Sequence, residues 1–155
     1  MVIRGPHHLA ISTPDLDRLV AFYVGHLGFE PAYRFAWMPG ASPVADEGMG
    51  LKGSGCRIEI LRKDDFYMEL FEFEAPSPQP IVPGRGVHEY GYTHLCLYSD
   101  DLEADYSRLR EAGVVFHSQP IDRGIHKFVY LLDPDGNAIE LLEITAEEHP
   151  FGRRQ

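Results

Sequence analysis

The second half of this chain repeats its first, and that repeat limits the fold more than any other feature. His8-Leu9-Ala10-Ile11 recurs as His94-Leu95-Cys96-Leu97, and at the same spacing Asp15-Leu16-Asp17 recurs as Asp101-Leu102-Glu103. Gly28-Phe29 is matched by Gly113-Val114, and Met68-Glu69-Leu70 by Ile139-Glu140-Leu141. Self-similarity at this scale means one supersecondary unit used twice, so each half must contain the same elements in the same order.

Those elements can be read from periodicity. His7 to Ser12 alternates apolar and polar residues, as a half-buried strand does. Thr13 is placed to cap a helix, with Pro14 in its first turn. Leu16, Leu19, Val20, Tyr23 and Leu27 recur at helical spacing until Gly28 stops the run. Strands follow near Phe29–Met38, Cys56–Arg62 and Phe66–Glu74. The second half gives a strand over Tyr92–Tyr98, a helix over Asp101–Ala112, and strands over Val114–Ser118, Lys127–Leu132 and Ala138–Ile144. Asp133-Pro134-Asp135-Gly136-Asn137 is dense in turn formers and joins the last two as a hairpin.

The expected class is therefore α+β, with two βαβββ modules in tandem. Module one covers 6–75, a linker covers 76–88, module two covers 89–144, and 145–155 form a tail. The linker is expected from Ala75-Pro76-Ser77-Pro78-Gln79-Pro80 and Pro83-Gly84, a composition no central strand tolerates. Neither module has much core alone, so the two curved sheets are expected to pack side by side as one domain around a shared cavity. Pro39 to Gly55, rich in glycine and small residues, is long for a structureless loop and reads as a candidate lid.

A formal net charge of −10, with no basic cluster to interrupt it, argues against nucleic acid and anionic membranes as partners. A small molecule in a pocket suits it better. No apolar run approaches the roughly 18 residues that span a bilayer, and the N-terminal segment runs straight into a strand rather than resembling a secretion signal. Cys56 and Cys96 read as reduced, buried thiols of a cytoplasmic protein.

Glu69 and Glu140 each stand between apolar residues inside a strand, where a carboxylate is costly unless paired or bound to a metal. His8 and His94 begin the first strand of each half. Taken singly, such a histidine is commonly core or surface, and such a glutamate commonly faces solvent. Their recurrence in register in both halves points instead to a metal. Two imidazoles and two carboxylates suit Ni, Co, Zn, Mn or Fe(II). His7 is the neighbouring alternative to His8, but it points to the opposite sheet face.

Together these residues resemble the vicinal oxygen chelate superfamily, which includes glyoxalase I, methylmalonyl-CoA epimerase, extradiol dioxygenases, fosfomycin-resistance enzymes and bleomycin-binding proteins. The resemblance spans His7 to Ile144, and its most specific segment is Val129 to Leu141. It implies a glyoxalase-like fold, a homodimer, and metal ligands at His8, Glu69, His94 and Glu140. It also implies substrate oxygens on the metal, which stabilises a developing oxyanion or enolate. The His/Glu/His/Glu set resembles bacterial glyoxalase I most closely, so the implied activity is that of a lyase or isomerase. A ligand carboxylate, Glu69 or Glu140, would act as the base. Glu59 is a further candidate base, in a setting similar to the base-bearing strand of methylmalonyl-CoA epimerase.

Ser12 and Phe73 stand where glyoxalase I has an arginine and an asparagine for glutathione, which argues against that cosubstrate. The alternative chemistry is extradiol ring cleavage, with iron on His8, His94 and Glu140 and with Tyr130 beside it. A third reading is drug sequestration without chemistry. His126 and Phe128 alternate with Tyr130 and are candidates to face the cavity. Tyr33, Phe35, Trp37 and Met38 are candidates to line an apolar pocket. His88, His117 and His149 have no partner that the sequence names.

Overall fold

The computed structural model describes residues 2–80 and 85–150. Parts of the expected linker (81–84) and tail (151–155) lie outside the described residues. The chain divides into two compact units, Met1–Pro80 and Ile81–Gln155.

The first unit contains β1 (His8–Ser12), α1 (Leu16–Leu27), β2 (Glu30–Trp37), α2 (Pro43–Met49), β3 (Gly55–Lys63) and β4 (Phe66–Ala75). Its sheet runs in the order β1-β4-β3-β2. β1 lies parallel to β4, and the other pairs are antiparallel. The second unit contains β5 (His94–Tyr98), α3 (Leu102–Glu111), β6 (Val115–Phe116), β7 (Ile121–Asp122), β8 (His126–Leu132) and β9 (Ala138–Ile144). Its sheet runs β5-β9-β8-β6, with β7 also paired to β8. Again the first strand lies parallel to the last. Both units are thus α+β, with the helix following the first strand, as the repeat implies.

Each core sits between helix and sheet. In the first unit Leu16, Leu19 and Tyr23 of α1 meet Leu61, Met68 and Leu70, all essentially solvent-free. In the second, Leu102 and Leu109 of α3 are buried with Val129, Leu131 and Ile139. Each large aliphatic side chain so buried stabilises the fold by about 1.5–3 kcal/mol. Val20, expected on the buried stripe, is only half-buried, and Phe22 takes a place in it.

The helix starts correct one expectation. The α1 cap is Asp15, not Thr13: the Asp15 carboxylate accepts from the Arg18 amide at 3.0 Å. Thr13 instead accepts the Asp15 amide with its hydroxyl, turning the chain into the helix. Asp101 caps α3 in the same way through the Ala104 amide, with nearly identical backbone angles. A carboxylate outcompetes a hydroxyl here because it also opposes the positive end of the helix dipole. Gly28 ends α1 as expected, with φ of 69°.

The Pro39–Gly55 segment is not structureless. Ser42 caps α2 and Pro43 occupies its first turn. Asp46 accepts hydrogen bonds from the amides of Gly53 (2.7 Å) and Ser54 (2.9 Å), and the Trp37 indole donates to the Ser54 hydroxyl at 3.0 Å. A side chain at Gly55 would meet Pro39 at 2.6 Å, so the return into β3 requires glycine. The segment is thus tied to its own sheet rather than left as an open loop. β7 was not anticipated: Ile121–Asp122 is too short to show a period.

Replacing either capping aspartate, Asp15→Ala or Asp101→Ala, is expected to cost about 1 kcal/mol, read as a lower urea midpoint at unchanged slope. Hydrogen bonds from Ser54, its side chain first and its amide next, hold the Asp46 carboxyl below its ordinary value. The tether is therefore fully present above the ordinary carboxylate range and weakens as pH falls through that lowered value. Faster amide exchange at Gly53 and Ser54 in acid, and at neutral pH in Asp46→Asn, is the expected result.

Candidate functional site

Cross-strand partners share a sheet face, so the register assigns every strand residue to a side. In the first unit His8 lies in a row with Tyr67, and the next row along the same face holds Ala10 and Glu69. His8 and Glu69 are therefore diagonal neighbours on adjacent parallel strands. Their side chains meet, with His8 Nε2 3.3 Å from Glu69 Oε2. The second unit repeats the geometry: His94 pairs with Ala138, Cys96 pairs with Glu140, and His94 Nε2 lies 3.1 Å from Glu140 Oε2. Both faces are the ones turned away from the helix of their unit.

The residue before each histidine completes the arrangement. The Thr93 hydroxyl lies 2.8 Å from His94 Nδ1, and His7 Nδ1 lies 3.0 Å from His8 Nδ1. A partner on Nδ1 holds each ring in orientation with Nε2 facing the carboxylate, as metal-ligating histidines are held. An imidazole nitrogen and a carboxylate oxygen at this separation suit a shared cation. The pairs are partly open, the histidines 42% and 27% exposed and the glutamates 24% and 17%. Among the described residues no group of three or more His, Cys, Asp or Glu forms a metal cage. Each unit by itself supplies two donors.

Around the second pair, Tyr130 is the register partner of Glu140, and its ring meets His94 edge-on at 5.1 Å. Burial first, then the charges of Glu140 and Cys96, push the Tyr130 phenol above its ordinary value. It stays protonated at neutral pH and donates toward Glu140. Cys96, on the same face, has its thiol pushed up to about 12, first by partial desolvation and then by the charge of Glu140. Both cysteines are free thiols, but Cys96 is exposed and only Cys56 is buried, which corrects the expectation of two buried thiols.

Glu59 does not join this constellation. It pairs in register with Leu70 and Arg34, on the face opposite Glu69. It is 4% exposed, and its carboxylate accepts from Arg34 Nε. A carboxylate held there beneath the helix is a structural charge, and its proposed role as a base is withdrawn. His126 and Phe128 do share the face of Glu140 and Tyr130. His126 is four residues along β8 from Tyr130, however, and lies 3.1 Å from His149. His117 stacks on Tyr130, and His88 meets Glu89 at 3.3 Å. Tyr33, Phe35 and Trp37 share the face of Glu69. Thr93 and His7 were overlooked as partners of the two histidines; a hydrogen-bonding residue immediately before each repeated histidine was the available sign.

The family model described as Glyoxalase/Bleomycin resistance protein/Dioxygenase superfamily matches residues 5–141. A 2-epi-5-epi-valiolone epimerase from Actinomyces sp. is 30% identical over 152 residues, covering 90% of this chain and 79% of that protein. A lactoylglutathione lyase from Schizosaccharomyces pombe is 24% identical over 141 residues, covering 88% of this chain and 46% of that protein. A glyoxalase family protein of known structure from Bacillus cereus shares the fold, with a TM-score of 0.82 at 19% identity over 94% of this chain and 97% of that one.

Because Glu59 is a packing charge, Glu59→Gln is expected to lower stability by about 1–2 kcal/mol in thermal or urea unfolding while leaving bound metal unchanged. Loss of metal with stability retained would return Glu59 to the site.

Proposed function

Since the chain belongs to the Glyoxalase/Bleomycin resistance protein/Dioxygenase superfamily, we propose that it is a metal-dependent lyase or isomerase acting on a small carbonyl substrate. His8 and Glu69 in the first unit, and His94 and Glu140 in the second, would be the ligands of a divalent cation. The observation that carries this reading is the duplicated His–Glu pair, each with Nδ1 engaged and Nε2 directed at a carboxylate. Imidazole nitrogen and carboxylate oxygen are the donor types that a divalent ion takes while leaving positions for substrate oxygens. Relatives named as an epimerase and as a lactoylglutathione lyase support a lyase or isomerase class.

When bound, the cation supplies Lewis acidity toward the oxygens of the substrate. The remaining chemistry falls to the chain. Glu69 or Glu140 takes the proton from the carbon beside the carbonyl, the carbon–hydrogen electron pair moves toward the carbonyl oxygen, and the proton is returned to carbon. Tyr130, beside Glu140, orients that carboxylate by hydrogen bonding. His7 and Thr93 fix the two imidazoles. Ser12 and Phe73, on the same face as Glu69, offer no charge to a glutathione carboxylate.

A second reading has one observation in its favour. Tyr130 lies against His94 and in register with Glu140, an arrangement suited to iron-dependent ring cleavage.

The test is the metal content of protein purified without chelators, by plasma mass spectrometry, with His8→Ala and His94→Ala alongside. One Ni, Co, Zn or Mn per chain, with affinity lowered at least tenfold in either variant, is the expected result. Stoichiometric iron would favour ring cleavage. No metal after reconstitution would overturn both readings.

A further inference from the structure

The register also shows what lies beyond the ligand pair on the site face of the first unit. Moving away from His8, the rows across β4, β3 and β2 read Glu69–Ile60–Tyr33, then Phe71–Ile58–Phe35, then Phe73–Cys56–Trp37. The rings form two ladders. Tyr33, Phe35 and Trp37 follow one another along β2 at 5.7 and 6.1 Å, and Phe71 and Phe73 lie 5.6 Å apart on β4 with planes 6° from parallel. Two strand spacings, about 10 Å, separate the ladders, and Ile58 forms the floor between them. Tyr33 is 63% exposed and Phe35 37%. Contiguous exposed aromatic surface of this kind marks a binding surface.

Charge is sorted the other way. Arg34, Arg57 and Lys63 all take the helix side, where Arg57 reaches Asp17 of α1 and Glu72, and Lys63 reaches the Gly28 carbonyl. The cation of these strands on the site face is Arg62, which lies back in the row of His8 and is paired with Glu30 at 3.4 Å. Among the described strand residues of this face, none beyond Glu69 is a cation for a carboxylate or phosphate. The hydroxyls of Tyr33 and Ser12 are the polar side-chain groups these rows offer, fewer than a polyol would need to pair its hydroxyls.

We propose that this aromatic floor binds the body of an uncharged, aromatic carbonyl ligand, whose vicinal oxygens lie toward the His8–Glu69 end. The position of the oxygens rests on the metal reading above; the floor does not.

The probes are 2-naphthyl hydroxymethyl ketone, 2-ethylnaphthalene, which lacks the oxygens, and a trihydroxycyclohexanone. Each is titrated into the full chain by calorimetry, with and without added metal. Trp37 is the chain's one tryptophan, so quenching of its emission by the naphthyl ring places the ligand on the ladder. Both naphthyl compounds are expected to bind and to quench Trp37, with affinity about tenfold lower in Phe35→Ala and weakened also in Tyr33→Ser. The cyclohexanone should give no comparable binding. A chain that takes up no metal yet still binds 2-ethylnaphthalene would overturn the metal reading and uphold the floor. Naphthyl affinity unchanged in both variants would overturn the proposal. So would tighter binding of the polyol, or a change of oligomeric state in the variants without naphthyl binding, which would assign the face to a second copy.

Discussion

The parallel pairing of the first and last strand in each module is the constraint on which the rest depends. Parallel neighbours cannot be joined by a tight turn, so the helix and the intervening strands are the connection that this pairing requires. The same pairing fixes where chemistry can occur. It sets His8 one row from Glu69 and His94 one row from Glu140, a diagonal within reach of an imidazole and a carboxylate. A slip of one residue would turn either histidine toward the helix and abolish the pair. Core packing and the placement of the His–Glu pair are therefore one decision: Leu9 and Ile11 point into the apolar layer because His8 and Ala10 do not.

This explains what was legible in the sequence and what was not. The repeat made the element order and the two His–Glu pairs readable, because side-chain alternation at His8–Ser12 and around Glu69 carries face information along one strand. Glu59 was misjudged because its face relative to Glu69 depends on the register of a hairpin, and the pairing of Leu61 with Met68 that sets it appears only once the turn between β3 and β4 is built. The α2 helix had local signs, a Ser42 cap followed by Pro43, but it buries no residue and so leaves no apolar stripe to read. Thr13 reads as the cap from its place before Pro14, but Asp15 takes that role, and the outcome turned on charge at the helix end.

Charge in the first unit is sorted by sheet face. On the helix side Arg57 bridges Asp17 and Glu72, and Arg34 engages Glu59. These pairs join helix to sheet around the apolar layer. On the other side Arg62 is held by Glu30, and rings and aliphatic groups lie beside His8 and Glu69. An acidic protein thus presents a site face whose character is set less by its net charge than by which side of a strand each arginine occupies.

The Pro39–Gly55 segment has one more implication. It is fastened to its own sheet by Asp46, Ser54 and Trp37, and it belongs to a connection that is shorter in the second module. If the modules arose by duplication, length was gained or lost at a margin whose fastenings are local. The paired strands kept their register while the border of one copy was remodelled. Such a protein can change the border of one module while the His–Glu pair of that module stays in register.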